Sequence, residues 1–302
     1  MGTARSHLRR VGTGLVGAVT LATLTVFPTG AAGASPLNSA NRNDTYLALG
    51  DSVAFGYQPS NESPPPVYSD ASSFVGYPED VAAELGMPLA NASCPGETTA
   101  SMLYPGAQSN GCENSVGSSY GYRSFYPLHV TYQGTQMQYA LQYLATHRHT
   151  RLVTIDIGAN DAFLCQATTS DQCSSPAELQ SVAAEVGQNL STIFAQIRHD
   201  AHYGGPLVAL TYYSTSYTDP TQVAETEFLD QVIAGVARRY HALVANGFDA
   251  FQTASQGAGG DPCAAGLLIR MTNGKCNIHP SAYGHQVLAE AVEAALPGTD
   301  RR

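Results

Sequence analysis

The stretch Thr45-Tyr46-Leu47-Ala48-Leu49-Gly50-Asp51-Ser52 (TYLALGDS) is an apolar run that stops at a glycine and delivers a serine two residues later. A short apolar run bounded by turn residues predicts a strand buried on both faces. The pattern recurs at residues 151–157 (RLVTIDI), followed by Gly158-Ala159-Asn160-Asp161, and at 206–212 (PLVALTY). Residues 243–251 are read as a further strand. Helical spacing fills the intervals: 77–85; 133–147, with Met137, Ala140, Leu141 and Leu144 on one face; 176–203, with Val182, Val186, Leu190, Ile193 and Ile197; 222–240, with Phe228, Val232 and Val236 inward; and 281–296, with Val287, Leu288, Ala291, Val292 and Ala295. Strands alternating with helices predict an α/β fold with a mainly parallel sheet covered on both faces. In such sheets ligands sit beyond the C-terminal strand ends, where Ser52 and Asn160 both fall. Residues 101–132, rich in Gly, Ser, Asn and Tyr without a period, read as an irregular excursion that could wall a cleft.

The 302-residue chain carries 14 Lys and Arg against 24 Asp and Glu, a formal net charge of −10. Its start differs from the rest. Arg5, Arg9 and Arg10 occur without an acid, an apolar run covers 11–27, and Ala32-Gly33-Ala34 follows. Basic, then apolar, then small-x-small predicts a secretory signal peptide over residues 1–34. The alternative, an uncleaved membrane anchor, asks a span of a run that is short and rich in Gly, Ala and Thr. Residues 35–302 are read as one domain, because no linker or repeat divides them. Removing the leader takes away three arginines and leaves 11 basic against 24 acidic residues, a net of −13. Such a chain repels nucleic-acid phosphates. The expectation is a secreted protein with no nucleic-acid partner and no stable membrane insertion after cleavage. Nothing in the sequence speaks to oligomeric state.

All six cysteines lie beyond the leader, and export favours disulfides. They fall into three couples close in sequence, each in a Gly/Ser/Asn-rich segment, which predicts Cys94–Cys112, Cys165–Cys173 and Cys263–Cys276. The rival reading is a metal site, but no CxxC or HxxxH spacing supports it. No P-loop and no GxGxxG opening a helix is present either, so neither metal nor cofactor is expected.

Four short elements can carry chemistry, and each is also an ordinary turn. Ser52 directly after a strand can sit at a tight turn with its hydroxyl exposed and its N–H free, as nucleophilic catalysis requires. Gly96, in Asn91-x-Ser93-x-x-Gly96-x-Thr98, lets backbone approach a substrate oxygen closely. The amide of Asn160 is a neutral donor that can hold an oxyanion without competing as a base. His279, held between Ile278 and Pro280 just before the last helix, can reach a serine hydroxyl as general base. His285 is a distant second, since it sits inside that helix.

Taken in order, GDSVAFGY (50–57), NASCPGET (91–98), GAND (158–161) and NIHPSAYGH (277–285) resemble the four signature blocks of the SGNH, or GDSL-type, hydrolase family, and the cysteine couples are similar to those of its secreted actinobacterial esterases and lipases. The resemblance implies a flavodoxin-like three-layer α/β/α sandwich, Ser52 as nucleophile, His279 as base, and oxyanion donation from the Ser52 and Gly96 N–H groups and the Asn160 side chain. One position departs. The family's acid three residues before the histidine is replaced by Cys276. The imidazole still needs an acceptor on its second nitrogen, and a backbone carbonyl near Lys275 or Cys276 is expected to serve, making a Ser-His dyad. Asp51 and Asp161 are expected to shape turns. The implied activity is hydrolysis of small-molecule or lipid carboxylic esters. A carbohydrate acetylesterase, with a small polar acyl pocket, and a phospholipase are alternatives within the family. A catalytically silent secreted binding module is the alternative outside it; thioesterase or peptidase chemistry would use the same Ser and His. Tyrosines between 119 and 143 are candidates for an acyl cleft or, equally, for packing.

Overall fold

The computed structural model describes residues 44–298. The predicted signal peptide lies outside the described residues. The elements are β1 (Thr45–Gly50), α1 (Ser52–Phe55), α2 (Tyr77–Leu85), β2 (Leu89–Asn91), α3 (Thr99–Leu103), α4 (Gln136–Thr146), β3 (Thr150–Asp156), α5 (Ala159–Thr168), α6 (Pro176–Ala195), β4 (Leu207–Leu210), α7 (Pro220–Arg239), β5 (Leu243–Ala245), α8 (Gly247–Ser255), β6 (Leu268–Arg270), β7 (Cys276–Pro280) and α9 (Ala282–Ala295).

Five strands pair in the order β2-β1-β3-β4-β5, all parallel. Leu47 sits opposite Ala90 on one side and Val153 on the other. Tyr46, Leu47, Ala48 and Leu49 are wholly buried, because α2, α8 and α9 cover one face while α3 to α7 cover the other. Each large apolar side chain taken out of water there contributes about 1.5–3 kcal/mol. This is the flavodoxin-like three-layer α/β/α arrangement, and the chain order reverses between β1 and β3, which opens a crevice at their C-terminal ends. β6 and β7 form a separate antiparallel ribbon.

Three parts differ from the sequence reading. The strand expected within 243–251 is present as β5 but ends at Ala245, and α8 follows. Asn246 caps α8, accepting from the Asp249 N–H at 2.9 Å while its amide donates to the Asp249 carboxylate at 2.6 Å. The helix expected over 176–203 is regular to Ala195 and then widens into a π-turn over Gln196–Asp200. Phe228, expected inward, is 40% exposed. Disulfides join Cys94 to Cys112, Cys165 to Cys173 and Cys263 to Cys276. Among the described residues no helix is long and apolar enough to cross a membrane.

Candidate active site

Ser52 stands at the first helical position of α1, directly beyond β1. Gly50 has φ 147°, and a Cβ there would lie 2.3 Å from the Asp156 carbonyl oxygen, so only glycine lets the ends of β1 and β3 close. Gln136 clamps this glycine from α4, accepting from its N–H at 2.6 Å and donating to its carbonyl at 3.0 Å. Asp51 caps α1 by accepting from the Val53 N–H at 2.9 Å. The Ser52 N–H, at the helix start, has no intrahelical acceptor.

His279 arrives on β7. Its Nε2 lies 2.9 Å from Ser52 Oγ, across 227 positions of sequence. Its Nδ1 lies 2.5 Å from Asn277 Oδ1, which also accepts from the His279 backbone N–H at 3.0 Å. A peptide N–H can only donate, so the oxygen of the Asn277 amide, not its NH₂, faces the ring. Nδ1 therefore carries the hydrogen, and the Nε2 lone pair points at the serine hydroxyl. This corrects the expectation of a backbone carbonyl near Lys275 or Cys276. The Asn277 side chain folds back toward the backbone two residues on, as asparagine does in turns, and occupies the place where that carbonyl would stand. The Tyr57 ring leans on the imidazole with centroids 5.0 Å apart. Burial pushes the ring down from its ordinary 6.5 to about 4, so it is neutral at physiological pH.

Asn160, in the first turn of α5, is held at both ends of its amide. Its Oδ1 accepts from Asn110 Nδ2 at 3.0 Å, and its Nδ2 donates to Asp51 Oδ2 at 3.1 Å. Asp51 Oδ2 also accepts from the Tyr212 hydroxyl at 2.7 Å. Behind Asp51, at the end of β3, Asp156 is 1% exposed, and neither of its oxygens meets a protein donor. Burial and the neighbouring Asp51 charge raise the Asp156 carboxyl far above the usual carboxylate range. Asp156 thus keeps its proton, and Asp51 is the charged member that accepts three donors.

The other candidates take different places. Gly96 has φ 82°, a left-handed conformation that favours glycine. It does not line the cavity beside Ser52 but connects to it through Asn110, whose N–H donates to the Gly96 carbonyl at 2.8 Å. Asp161 accepts from the Thr99 N–H at 2.9 Å and hydroxyl at 2.5 Å, tying α5 to α3. His285 is 2% exposed in α9, and neither ring nitrogen has a hydrogen-bond partner among the described residues. Cys94, Glu97 and Cys112 form a buried cluster, but both sulfurs are joined to each other, which removes the thiolates a metal would need.

Ser52, Asn160 and His279 all line one cavity of about 300 Å³, whose apolar wall includes Phe163, Tyr213, Leu229 and Ile278. The tyrosines of 119–143 do not line it. Tyr122 packs on Phe55 and Phe74, Tyr132 and Tyr143 join the main core, and Tyr120 stays 62% exposed. The wall comes instead from α5 and α7. Asn277, Asn110 and Asp156 were not singled out from the sequence. Of these only Asn277 carries a local signal: it is the side-chain acceptor nearest the histidine in Asn-x-His.

The parallel sheet with a serine and a histidine meeting over its switch point is an arrangement suited to ester hydrolysis, and comparison assigns the chain to a family of that class. A family model described as the GDSL-like lipase/acylhydrolase family matches residues 48–287. The chain belongs to that family and is a carboxylic ester hydrolase, which sets aside the silent binding module. No curated protein matches the sequence. Two solved structures are similar in fold. A catalytic mutant of an acetylxylan esterase from Geobacillus stearothermophilus has a TM-score of 0.52 at 15% identity, covering 84% of this chain and 94% of that one. A protein assigned as a GDSL-like lipase in Parabacteroides merdae has a TM-score of 0.52 at 12% identity, covering 86% and 98%.

Proposed function

We propose that the protein is a secreted serine esterase acting on uncharged esters with a medium-length acyl chain, through an acyl-enzyme on Ser52. The observation that carries the reading is the 2.9 Å contact between Ser52 Oγ and His279 Nε2 at the mouth of an apolar cavity. His279 takes the hydroxyl proton as Ser52 Oγ bonds to the acyl carbon, and returns it to the departing alcohol oxygen. Water then repeats the sequence, with His279 as its base, and frees the acid. The Asn160 amide and the Ser52 N–H receive the negative charge that develops on the carbonyl oxygen; the Gly96 N–H, which does not line the cavity, is assigned to the same task by the family's block pattern alone. Because Nδ1 is bonded to a neutral amide, the imidazolium formed in each step is held by orientation more than by charge.

Two features support the substrate class. Phe163, Leu229 and Ile278 give the cavity more apolar room than an acetyl group would fill, which disfavours the acetylesterase reading. No Lys or Arg lines it, and Glu225 stands on its wall, which disfavours an anionic phospholipid. Export rests on the leader pattern over 1–34 and on the three disulfides, which point to an oxidising compartment. The test is a p-nitrophenyl ester series with fluorophosphonate labelling. The expected result is a kcat/KM maximum between butyrate and octanoate and label on Ser52 alone. A Ser52→Ala enzyme that is still labelled and still turns over would end the assignment; an acetate maximum would restore the acetylesterase.

A further inference from the structure

The oxyanion side of the site depends on a residue outside all four signature blocks. We propose that Asn110 is a positioning residue that sets the Asn160 amide and the Gly96 peptide in register for the oxyanion; this inference rests on the function proposed above. Two hydrogen bonds place it there. Its side-chain Nδ2 donates to Asn160 Oδ1 at 3.0 Å, and its backbone N–H donates to the Gly96 carbonyl at 2.8 Å. One residue thus touches the side chain of one proposed oxyanion donor and the carbonyl of the residue that carries another. The approach is close enough that a Cβ on Gly96 would lie 2.5 Å from the Asn110 carbonyl oxygen.

An asparagine amide can turn over, exchanging its oxygen and nitrogen with little change in shape. At Asn160 the flanking groups remove that freedom. Asp51, accepting from Val53 and Tyr212, presents a carboxylate oxygen that can only accept. With Asp51 taking the Asn160 nitrogen, the Asn160 oxygen faces Asn110, and the Asn110 amide meets it with its Nδ2, the end that donates. That leaves the second Asn160 N–H for the cavity that Asn160 lines. Without Asn110 the oxygen end loses its partner, and an amide oxygen presented to a developing oxyanion repels it.

Asn110 is itself held by its surroundings. Asn114 folds over the preceding turn, its Oδ1 accepting from the Ser109 N–H at 2.8 Å and its Nδ2 donating to the Ala107 carbonyl at 3.1 Å. Ser109 is fully buried and donates to the Asn114 carbonyl at 2.6 Å. Cys112, two residues beyond Asn110, is bonded to Cys94, two residues before Gly96. The disulfide and the Asn110–Gly96 hydrogen bond clamp the same two segments. The irregular excursion therefore serves the site from behind the oxyanion donors rather than from the acyl cleft.

The experiment is a double-mutant cycle on kcat and KM with the mature enzyme, using Asn110→Asp, Asn110→Ala, Asn160→Ala and the two doubles. Asn110→Asp keeps the shape and the backbone contacts but aims a carboxylate oxygen at Asn160 Oδ1. It is expected to lower kcat by about tenfold or more with KM little changed. The same change in the Asn160→Ala background is expected to add almost nothing, which a purely structural role of Asn110 would not produce. Fluorophosphonate labelling of Ser52 in each variant shows that the nucleophile is intact. Full kcat in both Asn110 variants, or losses that simply multiply with that of Asn160→Ala, would overturn the proposal. If Asn160→Ala itself keeps full kcat, the oxyanion assignment has failed and the proposal falls with it. A slow Asn160→Ala beside a fast Asn110→Asp sinks the proposal alone.

Discussion

The two halves of the site are built differently. The donor half stands on the ends of β1 and β3, with Asp51, Asp156 and Asn160 at 1%, 1% and 5% exposure, and the side chains of Asp51 and Asn160 are hydrogen-bonded at both ends. The base half hangs on the β6–β7 ribbon, where Ile278, one residue from His279, is 46% exposed. Its ties include the Cys263–Cys276 bridge, the Tyr213 hydroxyl donating to the Ile278 carbonyl at 2.7 Å, the Tyr57 ring against the imidazole and the Asn277 amide. A donor must be in place before charge appears, since reorganising it during reaction would cost barrier height. A base that alternates between Ser52, alcohol and water works from a more lightly held arm.

That contrast can be broken by substitution on either side. The largest expected effect is on the donor half: Asn160→Ala lowers kcat by about 10²–10³, with KM near wild type, in steady-state assays. On the base half, Asn277→Ala removes the acceptor for Nδ1 and is expected to cost about tenfold to a hundredfold in kcat by letting the ring change tautomer. A loss at Asn277 exceeding that at Asn160 would reverse the ranking of the two halves.

Acidity gives a finer test. In the proposed mechanism His279 acts as base only when neutral, and burial lowers its pKa from 6.5 to about 4. Wild-type kcat/KM is thus expected to persist as pH falls below 6.5 and to be lost at a midpoint under that value. Asn277→Asp puts a carboxylate beside Nδ1, favours the imidazolium and moves that midpoint upward. An unmoved midpoint would show that Asn277 does not govern the ring. The smallest effect concerns the covalent ties. Cys263→Ser with Cys276→Ser is expected to lower kcat several-fold more than Cys165→Ser with Cys173→Ser, because only the first pair borders the histidine strand.

Much of this was legible in the sequence. The reading of 77–85 coincides with α2, and the runs at 45–49 and 151–157 locate β1 and β3, because a short apolar run that stops at a glycine fits a strand better than a helix. The stretch 243–251 does hold a strand, but only over its first three residues, and the early end has a physical reason. Six apolar residues in nine suggest a strand, while the decisive signal is the cap pair Asn246 and Asp249 in the middle. The β2 strand is three residues long and carries too little pattern to be seen. At the site, Ser52 and His279 stood out through local turn chemistry. Asn110 could not, since its part depends on meeting Asn160 across 50 positions, which only the fold supplies.

Along the cavity wall, Gln222, Glu225, Thr226 and Leu229 all come from α7. Their spacing of three and four residues puts them on a single stripe of one helix, and Leu229 reaches to within 3.6 Å of where a Cβ on Gly158 would lie. On the proposed reading such a stripe would act as a graduated rule laid beside the acyl tail. Exchanging side chains one helical turn at a time would re-grade the lengths accepted, while the strand ends that hold Ser52 and Asn160 stay untouched.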